Sequence, residues 1–181
     1  MTTAKTVGKY PVIRVIGQGA MGVVYAARDR RTGKSVALKW MSLPIRAGAE
    51  GRAVAAARFE REARIAARVL HPNLVEVYDV SVTPECPHLV MERLEGETLR
   101  ARLRRGPLRW DEVIAWLVPA IRGVAALHRA GVVHRDLKPE NILLGDFGEV
   151  YLADWGLARV EDGSSVELHA QGSSPPPNAT D

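Results

Sequence analysis

The chain has 181 residues, of which 46% are hydrophobic and 25% are charged, a composition typical of a soluble globular protein. Its formal net charge of +4 is mild, and a solvated helix face explains the arginine-rich stretch at 100–105 better than a nucleic-acid site does. The single cysteine, Cys86, excludes an internal disulfide and a metal site built from several cysteines. No apolar run is long enough to span a bilayer, and residues 1–10 contain no signal-peptide core, so we expect a cytoplasmic location.

Three short apolar segments follow a loose lead-in at residues 1–9. PVIRVIG, GVVYAARD and SVALKWM each predict a β-strand, and DRRTGK at 29–34 predicts the hairpin turn between the second and the third. Residues 44–53 are expected to form a loop. The next stretch, 54–70, predicts a helix that ends at the His-Pro-Asn sequence after it. One face of this helix would carry the apolar residues Phe59, Ala63, Ala66 and Leu70.

The second part of the chain contains two further predicted strands and two predicted helices. LVEVYDV and PHLVMERL predict the strands, ETLRARLRR predicts a short helix, and residues 110–130 predict a longer one. Pro119 should kink the longer helix or begin a new segment, because proline cannot donate to the helical hydrogen-bond ladder. Strands followed by helices indicate an α+β fold with two lobes, which we place at 10–95 and 96–160. The Ser- and Pro-rich tail at 161–181 is expected to be mobile.

The stretch from Ile16 to Val24 has the glycine spacing G-x-G-x-x-G-x-V. Glycines at Gly17, Gly19 and Gly22 would let backbone N–H groups approach phosphate oxygens, because no Cβ intervenes. A dinucleotide-binding turn has the same glycines, but it leads into a helix, whereas a strand follows here. The pattern therefore favours a hairpin that folds over a nucleotide, and the alternative is a glycine-rich hairpin without a ligand.

Lys39 lies on the third predicted strand, on the same face as Ala37, because side chains alternate along a strand. A lysine on an otherwise apolar strand needs an anionic partner, such as a phosphate or a carboxylate. The helix at 54–70 offers Glu60 and Glu62, and at about 100° per residue Glu62 lies closer to the centre of the apolar face. Glu62 is therefore the preferred partner, and the alternative is that both glutamates are solvated.

The stretch His134-Arg135-Asp136-Leu137-Lys138-Pro139-Glu140-Asn141 places an acid, a base and an amide close together around a rigid proline. With these residues the chain resembles the protein kinase family, in which this stretch is the catalytic loop. The resemblance extends from about Tyr10 to Arg159, and its motifs occur in the family's order. It implies a protein-kinase-like two-lobe fold, with a complete N-lobe made of an antiparallel sheet and one helix, and an incomplete helical C-lobe.

The resemblance also implies chemical roles. Asp136 would accept or orient the proton of the substrate hydroxyl, and Lys138 would steady the γ-phosphoryl group of ATP. Asn141 would hold Mg²⁺, and Lys39 would contact the α- and β-phosphates and pair with Glu62. The lysine in D-L-K-P-E-N is similar to that of the serine/threonine class, so the implied substrates are protein Ser/Thr hydroxyls.

The adenine pocket implied by the resemblance lies among apolar residues of the strands. Its walls would be Ile16, Val24, Ala37 and Leu143, with Met91 as the gatekeeper and the backbones of Glu92 and Leu94 as the hinge. ATP is thus the expected nucleotide, whereas neither nucleic acid nor a membrane segment is expected.

Two Asp-x-Gly triplets occur near the end of the chain, beginning at Asp146 and at Asp154. ILLG after Asn141 and VYLA predict two strands of a hairpin, with Asp146-Phe147-Gly148-Glu149 as its turn. A hairpin brings its outer ends together, so Asn141 and Asp154 become neighbours while Asp146 lies roughly 12–15 Å away. Only Asp154 could then share Mg²⁺ with Asn141, and the spacing from Asn141 also matches the family's. Trp155 replaces the family's usual Phe, and we expect the small Ala66 to accommodate it.

The resemblance stops after Arg159, because the sequence has no A-P-E motif and its tail resembles no part of the family. Truncation after the start of the activation segment is therefore expected. Three functions remain open: a serine/threonine protein kinase, an ATP-binding pseudokinase-like fragment without transfer activity, and a non-enzymatic interaction module. An apolar surface left exposed on the helix at 110–130 would favour association through the C-lobe.

Overall fold

The computed structural model describes residues 6–19, 22–41, 51, 53–54, 56–57, 60–61, 63–64, 67–83, 86–154 and 159–160. The side chains of 83, 86, 159 and 160 are not included in that description. The chain divides into two compact units. The first comprises Met1–Arg61, Val77–Arg93 and Ser165–Asp181, and the second comprises Glu62–Glu76 and Leu94–Ser164.

A six-stranded antiparallel sheet dominates the first unit, with the strand order β1-β2-β3-β4-β6-β5. Its strands are β1 (Thr6–Val7), β2 (Tyr10–Gly19), β3 (Gly22–Arg28), β4 (Ser35–Met41), β5 (Val77–Thr83) and β6 (Cys86–Glu92). The predicted strands are confirmed, although the segment predicted to begin at Leu74 enters the sheet only at Val77. The predicted turn at 29–34 is also confirmed, since Asp29 Oδ1 accepts from the N–H of Arg31 at 2.7 Å and caps it.

Side-chain alternation gives this sheet two different faces. One face carries a hydrophobic core that includes Val7, Tyr10, Val23, Tyr25, Ala27, Val36, Leu38 and Val90. A small polar network borders this core, because the Tyr10 hydroxyl donates to Asp79 Oδ2 at 2.9 Å and Lys9 Nζ lies 2.8 Å from the same oxygen. The other face carries Lys39 together with small and apolar neighbours, so the sheet separates its packing core from its candidate ligand-binding residues.

Described residues between 51 and 64 are helical, which confirms a helix in this region and corrects its limits. The loop predicted at 44–53 is wrong at 51 and 53, which are already helical, while 44–50 lie outside the described residues. Leu70 is wrongly assigned to the apolar face, since it lies beyond the helix and is 73% exposed. A turn at 67–68 follows the helix, so Leu70 does not have the helical spacing from Ala63 on which its assignment to the apolar face depended. Phe59 and Ala66 are not among the described residues.

Between residues 94 and 160, the described part of the second unit contains two helices and two small sheets. The helices are α1 (Leu99–Leu103) and α2 (Trp110–Arg129), and a 3₁₀ turn covers Pro139–Asn141. The strands are β7 (Gly96–Thr98), β8 (Val132–Val133), β9 (Ile142–Gly145), β10 (Val150–Leu152) and β11 (Arg159–Val160). The predicted short helix is therefore shorter than expected, because Thr98 ends β7 and its side chain caps α1 by accepting from Ala101 N.

Helix α2 continues through Pro119, so the alternative that a new segment begins there is wrong, and the kink stays a prediction. Its inward residues Ala120, Gly123, Ala126 and Leu127 are buried. Its opposite side leaves Trp110, Ile114, Leu117, Val118 and Ile121 exposed, which confirms the expected apolar surface. We call these five residues the α2 apolar stripe. In the described part of the chain, no helix combines the length and apolar character needed to cross a membrane.

Candidate active site

The glycine-rich segment forms the β2–β3 hairpin, in which Gly19 pairs with Gly22. Gly22 has φ of 135°, and a Cβ there would lie 1.9 Å from the carbonyl oxygen of Trp40 on β4. Glycine is therefore required at this position by the sheet itself. Gly17 and Gly19 differ, since a Cβ at Gly17 would make only ordinary contact with Val24 and a Cβ at Gly19 would meet nothing within 4 Å.

The described fold therefore does not explain why positions 17 and 19 are glycine. A Cβ at Gly19 would occupy open space, which is the space that a closely approaching phosphate needs. These two glycines consequently fit a nucleotide-binding hairpin better than a hairpin without a ligand. Ala20 and Met21, at the tip, are outside the described residues.

Lys39 is only 5% exposed, on the sheet face opposite the hydrophobic core. It lies across from Val24 on β3 and Leu89 on β6, while the buried Ala37 lies across from the buried Met91. The register thus places Val24, Ala37, Lys39 and Met91 on one face, as the sequence analysis expected. This face therefore combines a buried ammonium group with apolar neighbours.

For the remaining residues predicted to bind the nucleotide, the structure gives positions in the strands but fewer contacts. Ile16 lies beside an irregularity in the β2–β3 register and is exposed. Glu92 ends β6 opposite Val36, and Leu94 begins the second unit, as the residue after Arg93. Leu143 belongs to β9 in the second unit, where it lies opposite Tyr151. The predicted pairing of Lys39 with Glu62 cannot be described, since Glu62 is not among the described residues.

Three residues predicted to take part in catalysis or metal binding contact one another in the loop between β8 and β9. Lys138 Nζ lies 2.7 Å from Asp136 Oδ2. Asn141 Nδ2 donates to Asp136 Oδ2 at 3.0 Å and to the Asp136 backbone oxygen at 2.7 Å. The 3₁₀ turn brings Asn141 back towards Asp136, which explains why an acid and an amide five positions apart touch.

This arrangement sets the charge state of the cluster. Partial burial would raise the pKa of Asp136, but hydrogen bonds from Lys138 and Asn141 outweigh it and lower that pKa below its ordinary value. The hydrogen bond to Asp136 raises the pKa of Lys138. At neutral pH the cluster therefore contains a carboxylate and an ammonium group, which are joined by a hydrogen bond of 2.7 Å.

His134 is a residue to which the sequence analysis assigned no role. It is buried, its Nε2 lies 2.9 Å from the Ala153 oxygen, and the Asp136 N–H approaches its Nδ1 at 3.3 Å. These partners fit a ring that donates through Nε2 and accepts through Nδ1. The His134 side chain thus links the backbone of Asp136 to that of Ala153, the residue before Asp154. The only sequence signal was its place beside Arg135 and Asp136, because the partner Ala153 is remote in sequence.

The β9–β10 hairpin has the expected register, with Leu152 opposite Ile142 and the Ala153 N–H bonded to the Asn141 oxygen at 2.8 Å. Asn141 and Asp154 consequently lie at the open end of the hairpin. Asp154 has φ of 68°, an unusual backbone conformation for a residue other than glycine. Such conformations concentrate at functional sites, and Arg135 in the same loop region shares it with φ of 62°.

Asp146 occupies the closed end of the same hairpin. It is exposed in the turn, and Phe147 beside it is 93% exposed. Gly148, with φ of 92°, makes the reversal possible, and Glu149 Oε2 accepts from the N–H of Phe147 at 3.1 Å. The D-F-G letters at this turn therefore have a local structural explanation.

The oxygen donors at the open end suit Mg²⁺, which prefers carboxylate, amide and water oxygens. The Asn141 amide uses its nitrogen on Asp136, so its side-chain oxygen is not used in that contact. The charge of Asp154 adds to the rise in the pKa of Lys138, after the larger effect of Asp136. No group of three or more His, Cys, Asp or Glu side chains suited to a metal occurs among the described residues.

The arginine-rich stretch near α1 is largely paired with acids. Arg100 pairs with Glu140, Arg102 with Glu112, Arg105 with Glu97 and Arg109 with Asp111. Arg102 also lies over the Trp116 ring, 5.6 Å from its centroid. Acidic side chains of the second unit thus partly neutralise these arginines. This arrangement fits a solvated helix surface better than a site that binds nucleic-acid phosphates.

Comparison with known proteins places this geometry in a wider context. A family model described as a protein kinase domain matches residues 10–174. The chain is 46% identical over 159 residues to the serine/threonine-protein kinase PknL of Mycobacterium tuberculosis (strain ATCC 25618 / H37Rv), an alignment that covers 87% of this chain and 39% of PknL.

Two further relatives have the same kind of name. Identity is 41% over 153 residues to the probable serine/threonine-protein kinase pknA2 of Bifidobacterium longum (strain NCC 2705), covering 84% of this chain and 20% of that protein. It is 38% over 172 residues to the serine/threonine-protein kinase PknD of Chlamydia trachomatis serovar D, covering 88% and 18%. This chain thus spans at most 39% of the length of these three relatives.

Proposed function

The chain belongs to the protein kinase family, and on that premise we propose that it transfers the γ-phosphoryl group of ATP to serine or threonine hydroxyls of proteins. The observation that carries the proposal is the contact of Asp136 with both Lys138 and Asn141. The names of the relatives support the choice of a protein substrate with Ser or Thr acceptors. We also propose a cytoplasmic location, because ATP, the proposed donor, is a cytoplasmic solute.

Residues of the second unit would perform the transfer. A substrate hydroxyl oxygen attacks the γ-phosphorus, the bond from that phosphorus to the bridging oxygen of ADP breaks, and Asp136 takes or orients the hydroxyl proton. Its low pKa keeps Asp136 ionised, which favours orientation of the hydroxyl over early proton removal. Lys138 Nζ, 2.7 Å from Asp136, would place its positive charge beside the transferred group.

A second set of residues would hold the nucleotide. Backbone N–H groups near Gly17, Gly19 and Gly22 would bind phosphate oxygens, and Lys39 would neutralise charge on the α- and β-phosphates with Glu62 as its partner. The adenine ring would contact Ile16, Val24, Ala37, Met91 and Leu143, and the backbones of Glu92 and Leu94 would hydrogen-bond it.

Asn141 and Asp154 are the residues that we propose to hold Mg²⁺. When bound, the ion neutralises charge on the phosphates and orients them. The hairpin register supports this choice over Asp146, because Asn141 and Asp154 share the open end. The amide nitrogen of Asn141 remains on Asp136, so the same residue would connect the metal position to the acceptor position.

The test is phosphoryl transfer from γ-labelled ATP to a generic basic protein, followed by identification of the labelled amino acid. Asp136→Asn should reduce transfer by about 10²-fold or more, because the residue that orients the hydroxyl is lost. Asp111→Asn is the control, since Asp111 is an exposed acid on α2. Label on serine or threonine that Asp136→Asn abolishes would support the proposal. Equal transfer by the two variants would contradict it.

The α2 apolar stripe favours a second candidate, an interaction module that associates without transfer. Each large apolar side chain left in water forgoes about 1.5–3 kcal/mol of burial, so covering the stripe would be favourable. Light scattering of the chain should then show association, which Ile121→Glu on the stripe should reduce. Arg122→Glu, on the neighbouring exposed position, is the control. A monomer at all concentrations would remove support for this candidate.

A further inference from the structure

The short 3₁₀ turn at Pro139–Asn141, within the candidate catalytic loop, has few backbone hydrogen bonds of its own. Pro139 offers no N–H, and Lys138 before it makes no side-chain cap hydrogen bond. The backbone bond that closes the turn runs from Asn141 N to the Lys138 oxygen at 2.9 Å. A single 3₁₀ turn has poor hydrogen-bond geometry, so external contacts must hold its conformation.

Two contacts from outside the loop reach the turn. The Ala153 N–H bonds to the Asn141 oxygen at its C-terminal end, and a side chain of α1 reaches its middle residue. Arg100 Nε donates to Glu140 Oε1 at 2.8 Å, across 40 positions of sequence. Glu140 is the middle residue of the turn, with Asn141 after it and Lys138 two positions before it. At neutral pH glutamate and arginine side chains are both charged, so this hydrogen bond is also an ion pair.

The position of Arg100 is itself fixed by the sheet that follows the loop. Helix α1 directly follows β7, and β7 pairs with β9 from Gly96 opposite Gly145 to Thr98 opposite Leu143. Strand β9 begins at Ile142, immediately after the turn. Arg100 therefore holds the middle of the turn to an element that is already joined to the turn's C-terminal end.

We propose that Arg100 is a positioning residue, which holds the 3₁₀ turn through Glu140 and thereby the geometry of Lys138 and Asn141 around Asp136. This inference rests on the proposed function for its kinetic consequence, but its structural consequence can be measured without turnover. Both side chains are partly exposed, at 45% for Arg100 and 43% for Glu140, so their pairing should contribute little to global stability. Its effect should instead be local, at the loop.

The experiment compares Arg100→Ala with Arg105→Ala in the full chain. Arg105 is the matched control, because it follows the same helix but pairs with Glu97 on β7 rather than with the turn. The structural measurement is the hydrogen-exchange rate of the backbone amides of Asn141 and Asp136, with the Leu152 amide as an internal reference. These amides bond to the oxygens of Lys138, His134 and Asn73 respectively.

In Arg100→Ala we expect exchange at Asn141 and Asp136 to accelerate several-fold while Leu152 is unchanged. Where the chain transfers phosphate, kcat should fall roughly tenfold with KM for ATP unchanged, because small misplacements within a catalytic constellation are costly. Arg105→Ala should change neither, and exchanging the charges in Arg100→Glu/Glu140→Arg should restore part of the slow exchange.

Unchanged exchange at Asn141 and Asp136 in Arg100→Ala would overturn the proposal, whether or not the chain transfers phosphate. Uniformly faster exchange, with Leu152 included, would also overturn it, because the role of Arg100 would then be general stability. Lack of transfer by the wild-type chain would contradict the proposed function but not the positioning role of Arg100. The exchange rates alone decide that role.

Discussion

The β2–β3 and β9–β10 hairpins differ in which end carries the candidate chemistry. In β2–β3 the closed end holds Gly17 and Gly19, the two glycines that the described fold does not explain, while the strands behind them pack in a sheet. In β9–β10 the closed end is an ordinary exposed turn at Asp146, and the open end brings Asn141 beside Ala153 and Asp154. Both are antiparallel hairpins, but their candidate functional residues lie at opposite ends.

The difference shows that motif letters have to be interpreted together with their position in a hairpin. Open space and missing Cβ atoms matter where backbone groups must approach a ligand, as at Gly19. Convergence of two chain segments matters where two side chains must share an ion, as we propose for Asn141 and Asp154. The turn at Asp146 does not bring two chain segments together, and its glycine, Gly148, is explained by a φ of 92°, although this turn has the better letters.

The largest effect is expected at the two ends of β9–β10. Asp154→Asn should reduce Mg²⁺-dependent phosphoryl transfer by about 100-fold or more, because a metal contributes several kcal/mol of charge stabilisation. Asp146→Asn should leave transfer within about twofold, since surface substitutions have small effects. The measurement is initial rate against Mg²⁺ concentration. A larger loss in Asp146→Asn would reverse the comparison.

The second prediction separates structural from ligand-related glycines in β2–β3. Gly22→Ala should destabilise the chain by about 2–4 kcal/mol, because its Cβ would overlap the Trp40 oxygen at a φ that alanine disfavours. Gly19→Ala should leave stability nearly unchanged and weaken ATP binding. Thermal unfolding and ATP titration of both variants check this. Full ATP affinity in Gly19→Ala would leave the ligand-free hairpin as the better interpretation.

A third prediction tests the nucleotide face behind the first hairpin. Lys39→Ala should weaken ATP binding about tenfold or more, since hydrogen bonds to charged groups contribute about 1.5–3 kcal/mol. Lys34→Ala, in the exposed turn between β3 and β4, is the matched control and should bind like the wild type. Isothermal titration with ATP measures both. Equal weakening by the two substitutions would contradict the assignment of Lys39.

A fourth prediction concerns the closed end of β9–β10 as a purely local structure. Gly148→Ala should cost about 1 kcal/mol of stability, because φ of 92° is strained for a residue with a Cβ. ATP affinity should not change. Chemical denaturation and ATP titration provide the two measurements, and a parallel loss of affinity would indicate that this turn has a ligand-related role after all.

The smallest effect is the pH dependence of stability that Asp136 introduces near the open end. Its folded pKa is lowered, so its stabilising contribution is present above the unfolded value of about 3.9 and is lost as pH falls through the folded pKa. The stability difference between the wild type and Asp136→Asn should therefore be constant from about pH 5 to 8 and shrink below about pH 4. Denaturation at several pH values checks this, and a difference that grows in acid would contradict it.

The sequence predicted local elements well wherever pattern and turn chemistry agreed. Strand alternation located β2, β3 and β4, and the Asp29 turn appears where its side chain can cap the backbone. The errors occurred where tertiary contacts compete with local pattern. Thr98 joins β7 instead of the predicted helix because β9 offers it a strand partner, Leu143. Leu70 lies past the early end of its helix and is exposed.

Within the candidate site, the sequence alone determined the residue types, their order and the hairpin register, because strand periodicity and the Asp146 turn leave one way to pair β9 with β10. Only the tertiary structure decided which remote groups support them. His134 reaches Ala153, and Arg100 reaches Glu140, through contacts that join segments far apart in sequence. The physical reason is that alternation and turn propensity act over a few residues, whereas hydrogen bonds between distant side chains depend on how separate elements pack.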